Sequence, residues 1–202
     1  VDLILLCFAY VLSQFYRAFL AVLTEVLERD VGASPEDLAT ASGLWFLAFA
    51  AMQIPVGWAL DKVGPRRTAS VLLLIGGGGG AAVFALASAP VHISIAMLLI
   101  GVGCSPVLMA SYYIFARTYP AAVFATLAAV ILGVGSVGNL ASALPTTLAV
   151  EAFGWRAVVA GTAVVSVLTA LGLFFIVRDP EAAQSDVKGS LFDLLKMPAL
   201  WL

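Results

Sequence analysis

Six long apolar stretches constrain this chain more than any other feature. They run over roughly residues 3–27, 38–60, 68–88, 92–116, 122–149 and 155–177. Each matches the about 20 mostly apolar residues that an α-helix needs to cross a bilayer. The gaps between them are short and hold most of the charged side chains. The runs are continuous and do not alternate, which argues against a β-barrel. Of the 202 residues, 62% are hydrophobic and only 11% charged, against about a quarter charged in an ordinary soluble domain. Too few charges remain to coat a water-facing surface, so the solvent of this fold is lipid. The expected fold class is an all-α membrane protein, a bundle of six transmembrane helices.

Lys and Arg placement orients the bundle. With the N-terminus inside, the inner side holds seven cations: Lys62, Arg66, Arg67, Arg117, Arg178, Lys188 and Lys196. The outer side holds two, Arg29 and Arg156, and Arg17 lies within the first helix. The expectation is an integral protein of the plasma (inner) membrane with a cytoplasmic N-terminus. In the first outer loop Gly32 ends a helix, and Ser34 with Pro35 and two acids starts the next. Residues 178–197 are charge-rich and read as a solvated cytoplasmic linker whose end forms a short amphipathic helix. Residues 198–202 read as the start of a seventh span, and both ends of the chain look cut. The first run lacks the basic region and cleavage site of a removed signal peptide.

Four of eleven residues are charged in Gly57-Trp58-Ala59-Leu60-Asp61-Lys62-Val63-Gly64-Pro65-Arg66-Arg67, between the second and third apolar runs. Its spacing Gly-x-x-x-Asp-Lys-x-Gly-x-Arg-Arg resembles the loop after the second helix of major facilitator superfamily transporters. Arg117-x-Tyr119-Pro120, Gly154-Trp155-Arg156 and the charged segment after six helices add to the likeness, which covers residues 3–197. Pro65 departs from the pattern, which usually has a basic residue there. The resemblance implies the N-terminal six-helix half of a twelve-helix carrier, with residues 1–177 as the bundle. It implies secondary transport by alternating access, and a second six-helix half from the same chain or another copy. It also implies that Asp61, Gly64 and Arg66 gate the cytoplasmic side by latching the two halves. A plain positive-inside anchor is the other reading of that loop.

Candidate binding residues come from polar groups inside apolar runs. An Arg at membrane depth costs about 2.5–3.5 kcal/mol on insertion scales and is functional by default. Tyr10, Gln14, Arg17 and Thr24 share one helical face, with Ala21 between. Arg17 either binds an anionic or hydrogen-bonding group of a solute or pairs with Glu25 to pin helices together. Helix four presents Ser105, Met109 and Tyr112 at spacings of four and three. The resemblance places helices one and four on the central cavity. Gln53 in helix two and Asn139 in helix five complete the set. Gly133, Gly135 and Gly138 partly resemble the glycine-rich helix five of proton-coupled exporters, and close helix packing is the plainer reading.

Gly76 to Gly80 form no phosphate loop, since no Lys-Ser or Lys-Thr follows and the run is intramembrane. His92 has no second ligand at metal spacing. Paired acid–base groups, a nucleophile elbow and metal motifs are absent, so no enzyme and no cofactor are expected, and no basic patch invites nucleic acid. The leading function is secondary transport of a small solute, an anion on the strength of Arg17. One alternative is a non-transporting accessory subunit of a larger membrane complex. Another is soft-metal transport through Cys7, Cys104 and Met109.

Overall fold

A computed structural model describes residues 2–180 of the chain, and every element among them is helical. The linker expected at 178–197, beyond its first three residues, and the span expected from 198 lie outside the described residues. Five helical stretches are long and apolar enough to cross a membrane, and a bent pair makes a sixth.

That pair is α1 (Asp2–Ala18) and α2 (Leu20–Val31), bent by 48° at Phe19. An aromatic cluster fixes the bend: Phe19 stacks on Phe15, meets Tyr16 edge-on and touches Phe84. Gly32 closes α2 at φ 70°, a left-handed conformation that costs glycine no Cβ clash. The second span is α3 (Pro35–Ala51) with α4 (Gln53–Lys62). Ser34 caps α3 as the sequence leads one to expect. Its hydroxyl accepts the Asp37 N–H at 3.2 Å, and the Asp37 carboxylate accepts the Ser34 N–H at 2.9 Å.

The third span is α5 (Pro65–Leu72), a π-helical segment (Leu73–Gly79) and α6 (Gly80–Ala85). The glycine run lies in the π segment and just beyond it. Its bare backbone lets the third span touch the fourth, α7 (Pro90–Thr118). A Cβ on Gly76 would stand 2.6 Å from the Gly103 Cα, so the glycines serve close approach. The fifth span is α8 (Ala121–Ser142) followed by α9 (Leu144–Phe153), broken at Ala143. Pro145 cannot donate to the carbonyl four residues back. The Thr146 hydroxyl occupies that Ala141 carbonyl instead, at 2.7 Å. The sixth span is α10 (Trp155–Ile176).

α3 packs along α7, and α1 along α8. The core divides into two clusters. One, at the Gly32 end, gathers Phe19, Leu23, Trp45, Phe84, Ile100 and Trp155; the other, toward Gly64, gathers Leu6, Tyr10, Val56, Leu73, Phe115 and Ile131. The buried Tyr16 hydroxyl joins the first span to the sixth through Ser166 at 2.8 Å. At the Gly32 end Arg156 donates to the Ala85 and Ala87 carbonyls at 3.0 and 2.8 Å. Ala85 ends α6 and Ala87 lies two residues beyond it, so neither carbonyl has a partner within the helix. The Trp155 indole N–H reaches the Asp30 carboxylate at 3.0 Å.

Candidate functional site

Charged candidate residues gather in two places, one at mid-span and one at the Gly64 end. The first is an open-sided cavity of about 350 Å³ between the first and second spans, along which Arg17, Ala21, Pro35 and Ala39 are exposed. Arg17, Ala18, Leu20, Ala21 and Thr24 form one wall, and Pro35, Leu38, Ala39 and Ser42 the other. Positions 17, 21 and 24 recur at helical spacing, as do 35, 38 or 39, and 42, so each wall is one face of its helix. Arg17 sits near the middle of the first span, at the depth where a charge is most costly.

The Arg17 guanidinium lies 5.3 Å from the centroid of the Phe46 ring, one turn below Ser42 on the same face of α3. It makes no ion pair with any described acidic group, Glu25 included. A cation–π contact supplies about 0.5–2 kcal/mol. Insertion of the charge costs about 2.5–3.5 kcal/mol, so the ring offsets only part of it. The Thr24 hydroxyl donates to the Ala21 carbonyl at 3.0 Å. The cavity therefore offers an incompletely compensated cation, two hydroxyls and an otherwise apolar lining.

The remaining sequence candidates lie elsewhere. Tyr10 is buried, and a Cβ on Gly135 of α8 would run into its ring and stand 3.5 Å from Gln14 Cγ. Thus α8 covers the Gly64-ward half of the stripe, and only Arg17, Ala21 and Thr24 of it line the cavity. Gly138 lies against the Val11 carbonyl in the same way. Gln53 donates to the Phe49 carbonyl of its own span at 2.9 Å. Met109 and Tyr112 on α7 pack against the cluster that holds Tyr10. The Met109 methyl would meet a Cβ on Gly57 at 3.8 Å, and Tyr112 meets Phe124 edge-on at 5.9 Å. Asn139 is exposed on α8. Cys7 and Cys104 are both buried, in different core clusters. No group of three metal-ligating side chains occurs among the described residues. Sequence reasoning missed Ser42 as a cavity residue and Phe46 as the ring beside Arg17. Their i, i+4 spacing was visible, but not which helix they would face.

The second place is the Gly64 end. Asp61, at the end of α4, where the helix dipole disfavours an acid, lies 3.7 Å from Arg117 at the end of α7. Arg117 in turn lies 4.0 Å over the Tyr113 ring. Gly64 takes φ 99°, open to glycine and strained for other residues. Pro65 then opens α5 at its first position, where its missing N–H costs nothing. No side chain of the turn itself caps this helix. Asp179, just past the sixth span, does so from afar: its carboxylate accepts the Arg66 backbone N–H at 2.8 Å. It also stands 3.4 Å from Arg66 Nε, an ion-pair contact without hydrogen-bond geometry. A Cβ at Gly64 would meet that carboxylate at 3.1 Å, so the turn excludes side chains on two counts. Asp179 reads as mere linker in the sequence; only the fold makes it a partner of the loop.

Residues 6–202 match the family profile described as Major Facilitator Superfamily. The fold is similar to the crystal structure of a bacterial homolog to the human lysosomal transporter Spinster, solved in an inward-facing and unoccupied conformation. The TM-score is 0.65 at 21% identity, covering 94% of this chain and 45% of that one. At that identity the likeness concerns the fold alone, and this chain spans under half the length of that relative. Comparison with curated protein sequences gives no match.

Proposed function

The chain belongs to the Major Facilitator Superfamily, and from that premise we propose that it is half of a secondary carrier for a small anionic solute. In this reading residues 1–177 are the moving bundle, and 178–197 link it to a second six-helix half. That half comes from the same polypeptide or another copy. The N-terminus is cytoplasmic and the membrane is the plasma (inner) membrane. Rocking of one half against the other exposes a mid-membrane site alternately to each side.

The observation that carries the reading is Arg17: a guanidinium near the middle of the first span, at a cavity, without an acidic partner among the described residues. A bundle that kept this charge only to pin helices would pair it. The second half also has support from exposed surface. Only 22% of the most apolar stretch of the second span is buried, and 17% of that of the fifth. The exposed face of α8 includes Ser136 and Asn139 at a spacing of three, and polar groups facing lipid are costly. Asn139, Gln53, Met109 and Tyr112 then belong to the wall that the second half would complete. Asp61, Gly64 and Arg66 act at the cytoplasmic gate. Both ion pairs there, Asp61–Arg117 and Arg66–Asp179, tie spans of this bundle to one another, which suits a body that rocks as a unit.

The test is solute counterflow in proteoliposomes holding the intact protein. Arg17→Gln should abolish flux of an anionic solute, and Arg17→Lys should leave a small remainder, because a point charge replaces a planar fork. Expression and thermal stability should be unchanged or improved, since an unpaired charge is removed. Full flux by Arg17→Gln would sink the anion site at Arg17, and a parent protein that moves no solute would favour an accessory subunit.

A further inference from the structure

The lining of the Arg17 cavity is specific enough to name a solute class. We propose that the site takes a monocarboxylate with a compact apolar body, its carboxylate on Arg17 and its hydrocarbon between α2 and α3. The inference rests on the carrier reading for its physiological meaning, and on the cavity itself for its chemistry.

Three observations converge. First, Arg17 is the sole charged group among the lining residues. One cation balances one negative charge. A dicarboxylate or a phosphate dianion would bring a second charge for which the described lining holds no second cation. Second, the guanidinium has the Phe46 ring as neighbour, and a ring offers no hydrogen-bond acceptor. Arg17 therefore keeps N–H donors for the parallel pair of bonds that a carboxylate accepts. Among the described residues Ser42 makes no side-chain hydrogen bond, so its hydroxyl adds a donor on the facing wall.

Third, apart from Arg17, Thr24 and Ser42 the lining side chains are hydrocarbon: Ala18, Leu20, Ala21, Pro35, Leu38 and Ala39. The Thr24 donor is already committed to the Ala21 carbonyl. A sugar or other polyol would leave most of its hydroxyls unpaired there, and such sites reject unpaired polar groups strongly. At about 350 Å³ the cavity is near the lower end of small-molecule sites, which sets the scale of the body.

The experiment is equilibrium binding to the purified intact protein, with 4-methylpentanoate, acetate, 4-methyl-1-pentanol, inorganic phosphate and glucose as probes. We expect 4-methylpentanoate to bind at least about tenfold more tightly than acetate, because its additional carbons are buried. It should exceed the alcohol of the same skeleton by a similar factor, with phosphate and glucose weakest. Arg17→Gln should erase the preference for acid over alcohol while alcohol binding persists, which shows that the variant is folded. Ser42→Ala should weaken the acid several-fold and leave the alcohol almost unchanged. Phosphate or glucose binding as well as the branched acid would overturn the proposal, and so would an acid-to-alcohol preference that survives Arg17→Gln.

Counterflow separates the two readings. Arg17-dependent acid binding without flux keeps the ligand class and removes the carrier. Flux of a solute of another class, indifferent to Arg17, keeps the carrier and removes the ligand class.

Discussion

Arg156 illustrates how much one side chain can hold. Its guanidinium donates to the Ala85 and Ala87 carbonyls and lies over the Trp155 ring. Arg156→Gln strips two charge-assisted bonds from the end of the third span. Bonds to charged groups are worth about 1.5–3 kcal/mol, so melting in detergent should move clearly downward. Trp155→Phe keeps an aromatic ring against Phe84 and loses one bond, to the part-exposed Asp30 carboxylate, so with one charge-assisted bond lost rather than two its effect on the same melting curve should be the smaller. Equal effects would mean that the bonds from Arg156 carry no more than the one from Trp155. Arg17 was legible in the sequence because charge in an apolar run announces itself. Phe46 was not, because an aromatic residue in such a run carries no sign of which cation will rest on it.

Among elements, the contact of α1 with α8 depends on glycine. A Cβ at Gly138 would collide with the Val11 carbonyl, whereas one at Gly133 meets nothing within 4 Å. Gly138→Ala should therefore destabilise by about 1–3 kcal/mol through overpacking. Gly133→Ala should be neutral or slightly stabilising, given the poor helix propensity of glycine. Thermal melting of both variants checks this, and parity between them would contradict the packing. The reading of these glycines as residues for close approach agrees with the geometry at Gly135 and Gly138, and Gly133 plays no such part. The stripe from Tyr10 to Thr24 obeys helical periodicity as expected. Periodicity gives a face, though, and α8 takes half of that face for itself. The fifth span was read as one stretch, 122–149, and it is broken at Ala143, close to the Pro145 that signals it.

For the whole molecule, Asp179 is the tie to test. It closes the sixth span onto the start of the third. Asp179→Asn keeps an acceptor for the Arg66 N–H and loses the charge; Asp179→Ala loses both. Loss of a cap costs about 1 kcal/mol, and a part-exposed ion pair typically less. The alanine variant should thus melt lower than the asparagine variant, and both lower than the parent. In counterflow both should perturb the rate more than the affinity, as a gate rather than a binding site would. The sequence by itself determined the solvent, the number of spans and the family: hydrocarbon length, scarce charge and the motif after the second helix are local properties of the chain. It also determined that one cation is stranded in the membrane. Only the tertiary structure decided which walls surround that cation, because choosing the neighbour of a helix face requires backbones to approach: Gly101 of α7 seats the Trp45 backbone of α3, and Gly135 and Gly138 of α8 seat α1. The same holds for Asp179, whose partner is 113 residues away in sequence and is brought to it by the packing of the third span on the sixth.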